Sequence, residues 1–410
     1  MLDVITACII FMIVMLLTAS RRASLFSAAA YLFNPVAIMN STNGLETSVS
    51  VLFYALSFYV FLRVKDSTRR GEFFLLGIVG GLMVLARTDS ITLLAVYVLY
   101  FLVRRNIGVA YVLLAAGATV APWMVWDYLT FGTLFQSSAL SVPYIVHQNF
   151  ISAQGSTSAL VISHSVRNFV NALFYNLLML DMWGLGLIPL ALLAAYALLG
   201  SKEARRKALA GLMPVSLLLL GLLLLTIVHY GIRWYGRLWY LAPASAASSI
   251  MAGIFFDSLK DRKVLALLAT AIVLSCFAAY GLTFWQQGFW PWQLEYYLAG
   301  RWAGINLGPD AVIGSVSSGI IGYYSNLSVV SLDGAINNEA YLSIRNGNVF
   351  EYLRESNVTH LVDYEVTLFD DYRGYYGVDI RDQVTLVQTV NVENLTFRGS
   401  EVGVCRIRYQ

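Results

Sequence analysis

Charge is what this sequence has least of. Only 12% of its 410 residues are Asp, Glu, Lys or Arg, while 58% are hydrophobic. Soluble domains carry roughly 25% charged residues, and a soluble chain this poor in charge could not cover its surface. Lipid must do the covering. Cysteine is also scarce. Cys8 and Cys276 fall inside apolar runs and Cys405 stands alone near the end, which excludes a disulfide framework and a thiolate metal site. No second histidine stands at metal spacing from His229. The first apolar run, Met1–Ala19, has no basic residue before it and Asp3 as its one charge. A secretory signal peptide puts positive charge ahead of its apolar stretch, so this run reads as a retained helix.

What the sequence has in quantity is long apolar runs. A bilayer core takes about 20 apolar residues per helix, and runs of that size lie near 2–19, 23–40, 45–63, 73–87, 90–103, 107–126, 171–199, 208–228, 238–256 and 264–284. The fold class expected is an α-helical polytopic membrane protein with about ten spanning helices. Every second loop is basic: Arg21–Arg22, then Arg63 to Arg70, Arg104–Arg105, Lys202 to Lys207, and Lys260 to Lys263. The positive-inside rule puts all of these in the cytoplasm and both termini on the extracytoplasmic side of a cell membrane. The net charge of +3 therefore reports orientation, and nucleic acid is not an expected partner.

After Trp285 the character changes. Apolar runs at Ala311–Val316, Ser328–Leu332, Val358–Asp363, Val384–Val392 and Val402–Ile407 alternate with a helical stretch near Asn338–Glu355. This pattern predicts a small extracytoplasmic α/β domain over 286–410, beside a membrane domain over 1–285. Sequons at Asn326, Asn357 and Asn394 are compatible with an exported surface.

Ionisable groups at membrane depth are functional hypotheses by default, and they collect at one side. Glu46 opens the third span. Arg87 and Asp89 bracket the turn between the fourth and fifth. Asp127 and Tyr128 end the sixth, and Asp181 lies in the seventh. His229, Arg233, Tyr235, Arg237 and Tyr240 fall between the eighth and ninth. One reading is an outward cavity, with carboxylates for general-base or metal work and arginines for a phosphate. The plainer reading puts Glu46 and Asp89 at positive helix ends, makes Arg87–Asp89 a local ion pair, and makes His229 a hydrogen-bonded helix-end residue.

The segments carrying these groups resemble the motifs of GT-C type glycosyltransferases, the superfamily that includes protein mannosyltransferases and arabinosyltransferases. Asn43-Gly44-Leu45-Glu46-Thr47 resembles their GxET stretch, and Ala86-Arg87-Thr88-Asp89 their ARPD/E turn. Asp127 to Phe135 resembles their YFG segment, and Tyr235-Gly236-Arg237-Leu238-Trp239-Tyr240-Leu241-Ala242-Pro243 their RYxxP. Gly322-Tyr323-Tyr324-Ser325, then Ser331-Leu332-Asp333-Gly334, resemble GYYS…DxxGL of the external domain. Thr88 replaces the usual proline, and no lysine follows the YFG segment.

The resemblance implies transfer of a sugar from a polyprenyl-phosphate donor to a glycan or protein acceptor at the membrane. Glu46, Asp89 and Asp127 are the catalytic candidates, with Glu46 as a second carboxylate that orients the acceptor or a divalent cation. Arg87, Tyr128, His229, Arg233, Arg237 and Tyr240 are the substrate-binding ones. A divalent cation (Mg or Mn) is a possible cofactor. Such enzymes carry an acidic residue in the first outer loop, after a first cytoplasm-to-outside helix. This sequence begins at what resembles the second helix, so the expectation is a chain lacking that helix, loop and acid. The alternative is a non-catalytic protein: a transporter or flippase of lipid-linked sugars, or an assembly factor. Charges at the rim and the lack of a clear repeat favour the enzyme scaffold over a transporter, whose charges sit near the bilayer midplane.

Overall fold

Apolar runs too poor in turn residues to stop become helices, and the few polar interruptions decide where they end. The computed structural model describes residues 1–134, 136–173, 202–258, 293–392 and 401–409, with a few isolated helical residues between 267 and 286. The chain divides into two units, Met1–Thr130 with Thr157–Trp285, and Phe131–Ser156 with Gln286–Gln410.

The first unit is helical: α1 (Leu2–Thr18), α2 (Arg21–Leu32), α3 (Pro35–Ser41), α4 (Thr47–Val64), α5 (Arg70–Ala86), α6 (Ile91–Val103) and α7 (Gly108–Phe131). In this chain numbering, α8 (Ser137–Gln154) belongs to the second unit. The first resumes with α9 (Ser158–Asn171), α10 (Lys202–Thr226) and α11 (Pro243–Ser258). The predicted span over 23–40 is in fact two helices. Asn34 accepts from the amides of Val36 and Ala37 at 2.9 and 3.4 Å, and Pro35 occupies the first position of α3. An Asn cap before a proline starts a new helix and cannot continue an old one.

Thr47–Val64, Gly108–Phe131 and Met213–Ile232 are long and apolar enough to cross a membrane, and Leu2–Thr18 and Thr88–Val103 are shorter apolar helices. The predicted spans over 171–199 and 264–284 fall largely outside the described residues. Large apolar side chains such as Leu102, Leu114 and Leu129 are 55%, 64% and 77% exposed. Helices that present leucine outward need an apolar surround.

Small residues set the packing distances. A Cβ on Gly77 would stand 2.5 Å from the Val112 carbonyl oxygen, and one on Gly81 2.6 Å from Thr119 Cβ. These glycines, one turn apart on α5, let α7 approach to backbone contact. Gly221 does the same for α10, whose backbone lies against Leu93 and the Tyr54 hydroxyl.

The second unit is an α/β sheet. Its elements are α12 (Gln293–Asn306), β1 (Val312–Ser315), α13 (Ser318–Ser325), β2 (Ser328–Ser331), α14 (Asn338–Asn346), α15 (Val349–Glu355), β3 (His360–Tyr364), α16 (Ile380–Gln383), β4 (Val384–Val390) and β5 (Val402–Ile407). The strand order is β2-β1-β3-β5-β4. β1 runs parallel to β2 and β3, while β5 is antiparallel to β3 and β4. Each strand falls on an apolar run visible in the sequence. The stretch expected as one helix over 338–355 is two, because Gly347 takes a left-handed φ of 68° after α14.

This unit also takes in Phe131–Ser156, which the sequence reading placed in the membrane domain as loop. The segment includes α8, which docks on the α/β unit: the Tyr375 hydroxyl donates to Asn149 Oδ1 at 2.9 Å, and Tyr144 meets the Tyr341 ring edge-on. Asp363, fully buried, ties the sheet together by accepting from the Tyr296 and Ser315 hydroxyls at 2.7 and 3.0 Å. It also accepts from the amides of Val316, Ser317 and Tyr364 at 2.8–2.9 Å. Cys405 is buried in β5, and burial pushes its thiol up to about 12. It is an inert core residue.

Candidate functional site

The site is built where four chain segments end. α4 starts after Glu46, α5 stops at Arg87, and a 3₁₀ turn (Thr88–Ser90) leads into α6. The end of α10 widens into a π-helical turn over Ile227–Ile232, a feature frequent at functional sites. Arg87 adopts an extended backbone (φ −154°, ψ 120°), which turns the chain and leaves its side chain at the helix end.

Arg87 is the hub. Its Nε and Nη2 donate to Asp89 Oδ1 and Oδ2 at 3.2 and 2.8 Å, a bidentate fork. Its Nη1 donates to Glu46 Oε1 at 2.6 Å. Nε2 of His229 lies 2.9 Å from Asp89 Oδ2. The His229 ring stacks on Tyr240 with centroids 3.9 Å apart and planes at 14°. The Arg87 guanidinium sits over the same Tyr240 ring at 4.9 Å. Glu46, Arg87, Asp89 and His229, with Tyr240 from the 3₁₀ turn Leu238–Leu241, thus form one connected network, held by planar geometry that favours Arg over Lys.

Exposure divides the roles. The Asp89 side chain is 11% exposed and that of His229 is fully buried, whereas that of Glu46 is 49% exposed. Both oxygens of Asp89 are engaged by Arg87, and one also by His229. Glu46 accepts from Arg87 through Oε1, leaving Oε2 without a partner among the described residues. Of the two carboxylates, Glu46 is the more exposed. Asp89, the catalytic candidate beside it in the sequence, has both oxygens bonded within the network. A cation–carboxylate pair also stands where Mg or Mn would need several oxygens. Among the described residues no three His, Cys, Asp or Glu side chains converge to hold a metal.

The aromatic path continues outward. Tyr235 lies 6.3 Å from Tyr240. The exposed Arg237 stacks on Tyr235 at 4.6 Å, its Nε donating to the Tyr235 hydroxyl at 3.0 Å. No carboxylate pairs with Arg237 among the described residues. Arg233 follows the π turn, its amide donating to the Val228 carbonyl at 2.9 Å.

Other candidates stay apart. Asp127 on α7 is 6% exposed and its Oδ2 has no partner among the described residues. No hydrogen bond or ion pair among the described residues joins it to the network, and Tyr128 is 55% exposed. Asp181 lies outside the described residues. Two features escaped the sequence reading. Asp3 accepts from the Tyr31 and Ser48 hydroxyls at 2.9 and 3.2 Å, anchoring α1 two residues from Glu46; a lone charge in an apolar run was the available signal. The other is α9. Its Ser165 accepts from the Trp234 indole at 2.7 Å, and Trp234 sits in a left-handed backbone turn with φ 53°.

Comparison with known proteins bears on this arrangement. Residues 1–126 match the family model described as dolichyl-phosphate-mannose-protein mannosyltransferase. Residues 289–404 match a domain of unknown function, DUF8728. No match was found among curated proteins. Among solved structures the chain is similar to ArnT from Cupriavidus metallidurans, a crystal structure in the apo state. The two share 14% identity with a TM-score of 0.56, over 98% of this chain and 82% of that one. The GT-C resemblance is supported by the match over residues 1–126, which contain Glu46 to Asp89, and the chain shares the fold of the ArnT structure.

Proposed function

We propose, taking the GT-C type scaffold as premise, that this chain transfers a sugar from a polyprenyl-phosphate-linked donor to a glycan or protein acceptor at the extracytoplasmic membrane surface. The observation that carries the reading is the network Glu46–Arg87–Asp89–His229, which leaves one half-exposed carboxylate oriented by a buried cation.

In this reading the uncommitted oxygen of Glu46 takes the proton of the acceptor hydroxyl as the hydroxyl oxygen bonds to the anomeric carbon. The bond from that carbon to the donor phosphate oxygen breaks, and polyprenyl phosphate leaves with the electron pair. Arg237, exposed and free of carboxylates among the described residues, receives the developing phosphate charge as a planar donor. Arg87 is a positioning residue, fixed by Asp89, and Asp89 is fixed by His229. No step runs through Mg or Mn, because the Arg87 guanidinium occupies the place between the two carboxylates.

The test is transfer of radiolabelled sugar from a polyprenyl-phosphate donor by the purified chain in lipid nanodiscs. Glu46→Gln is expected to lower kcat by at least 100-fold, the usual scale for a general base. Arg237→Ala is expected to raise KM for the donor. Transfer at the parent rate by both variants would overturn the assignment.

A further inference from the structure

We propose that a cleft between α4, α6 and α10, at the basic ends of α4 and α6, binds an anionic glycerophospholipid of the surrounding membrane. The cleft holds about 450 Å³, within the range of small-molecule sites. Phe61, Val96, Leu99, Pro214, Leu217 and Leu220 make its walls apolar, and Lys65 and Arg104 stand among its lining residues. α4 is 18 residues long, so the cleft's basic end lies roughly 27 Å along the helix from Glu46. It is a separate site from the charged network.

The sequence makes this cleft by placing side chains that cannot fill the gap between three helices. Phe61 leans on Tyr97 and Phe101 with centroids at 4.6 and 5.9 Å, and so packs toward α6. The lip carries Leu99, Val103 and Met213, which are 53%, 76% and 74% exposed. An apolar cleft with such a lip, on helices of this hydropathy, opens to acyl chains.

The charges choose the headgroup. The Arg104 guanidinium rests over the Tyr100 ring at 5.2 Å, and no carboxylate pairs with it among the described residues. Lys65 shares its charge with Asp66, 64% exposed at the rim, and Arg63 and Arg105 flank the pair in the chain. This end is net positive. A headgroup with uncompensated phosphate charge matches it, and a zwitterionic one does not. Basic pockets between membrane helices on the cytoplasmic side favour anionic lipids in this way.

Native mass spectrometry of the full chain released from nanodiscs tests the proposal, with phosphatidylglycerol and phosphatidylcholine as probes. The parent is expected to retain phosphatidylglycerol in preference. The double variant Lys65→Gln with Arg104→Gln is expected to weaken that binding roughly 25-fold, about fivefold for each basic group near an anionic surface. Leu220→Trp, which fills the cleft and leaves the charges, is expected to reduce retention of the lipid as well. Three results would each overturn the inference. One is equal retention of the two lipids by the parent. Another is undiminished phosphatidylglycerol on either variant. The third is displacement of phosphatidylglycerol by equimolar polyprenyl phosphate, which would assign the cleft to a donor lipid.

Discussion

Arg87 shows how much a single side chain can organise. Its fork binds Asp89 through two nitrogens, and its remaining nitrogen reaches Glu46. Lysine offers a point charge in place of a fork, so Arg87→Lys is expected to lose most transfer activity while the chain still folds; kcat beside a thermal unfolding curve checks this. Asp89→Asn leaves Arg87 and His229 facing a neutral group in a nearly closed setting. Breaking a buried pair costs about 3–5 kcal/mol, and a fall in unfolding temperature should accompany the loss of activity. His360 supplies the pH-dependent element. Burial first, and then Arg406, lower its pKa below the ordinary 6.5. The unfolded chain therefore binds the proton more readily, and the stability of the α/β unit is intact above pH 6.5 and falls as pH drops below it. Denaturant midpoints at pH 5 and pH 7.5 should show the loss, and His360→Gln should flatten it.

At the scale of elements, interruptions matter more than apolar runs. Asn34-Pro35 divides what hydropathy alone would draw as one span, because the Asn carbonyl oxygen satisfies two amides and the proline lacks one of its own. Asn34→Ala should cost about 1 kcal/mol, the usual value of such a cap. The same weakness of periodicity hides α8 and α9 in a stretch whose sequence reads as a long loop. α9 carries Leu160, Ile162 and Val166 exposed at 39%, 61% and 54%, with none of its residues buried. A polar–apolar helix of this kind suits a membrane surface. Glu46, by contrast, was legible, since a carboxylate opening a long apolar helix draws attention in any sequence.

For the whole molecule, the strands and helices of the C-terminal unit were legible from alternating apolar runs, yet the unit's extent was not. Phe131–Ser156 joins it through contacts such as Tyr375 to Asn149, more than 220 residues apart. No local pattern encodes a pairing at that separation. Asp363 likewise reads as the polar end of an apolar run, and only folding reveals five donors around it. Asp363→Ala would strand these donors in a closed core. Since each buried unsatisfied group costs about 1–3 kcal/mol, the variant unit should be cleaved by protease at a rate far above the parent's.

Composition and hydropathy determined on their own that lipid surrounds this chain, because so little charge cannot keep such a surface in water. They also marked which polar residues stand at helix ends. Tertiary structure decided how those residues are paired. It spent Asp89 on Arg87 and His229, left Asp127 outside the network, and kept one oxygen of Glu46 uncommitted. The physical reason is that a carboxylate's role depends on which of its lone pairs are already taken, and those partners come from segments as much as 140 residues away.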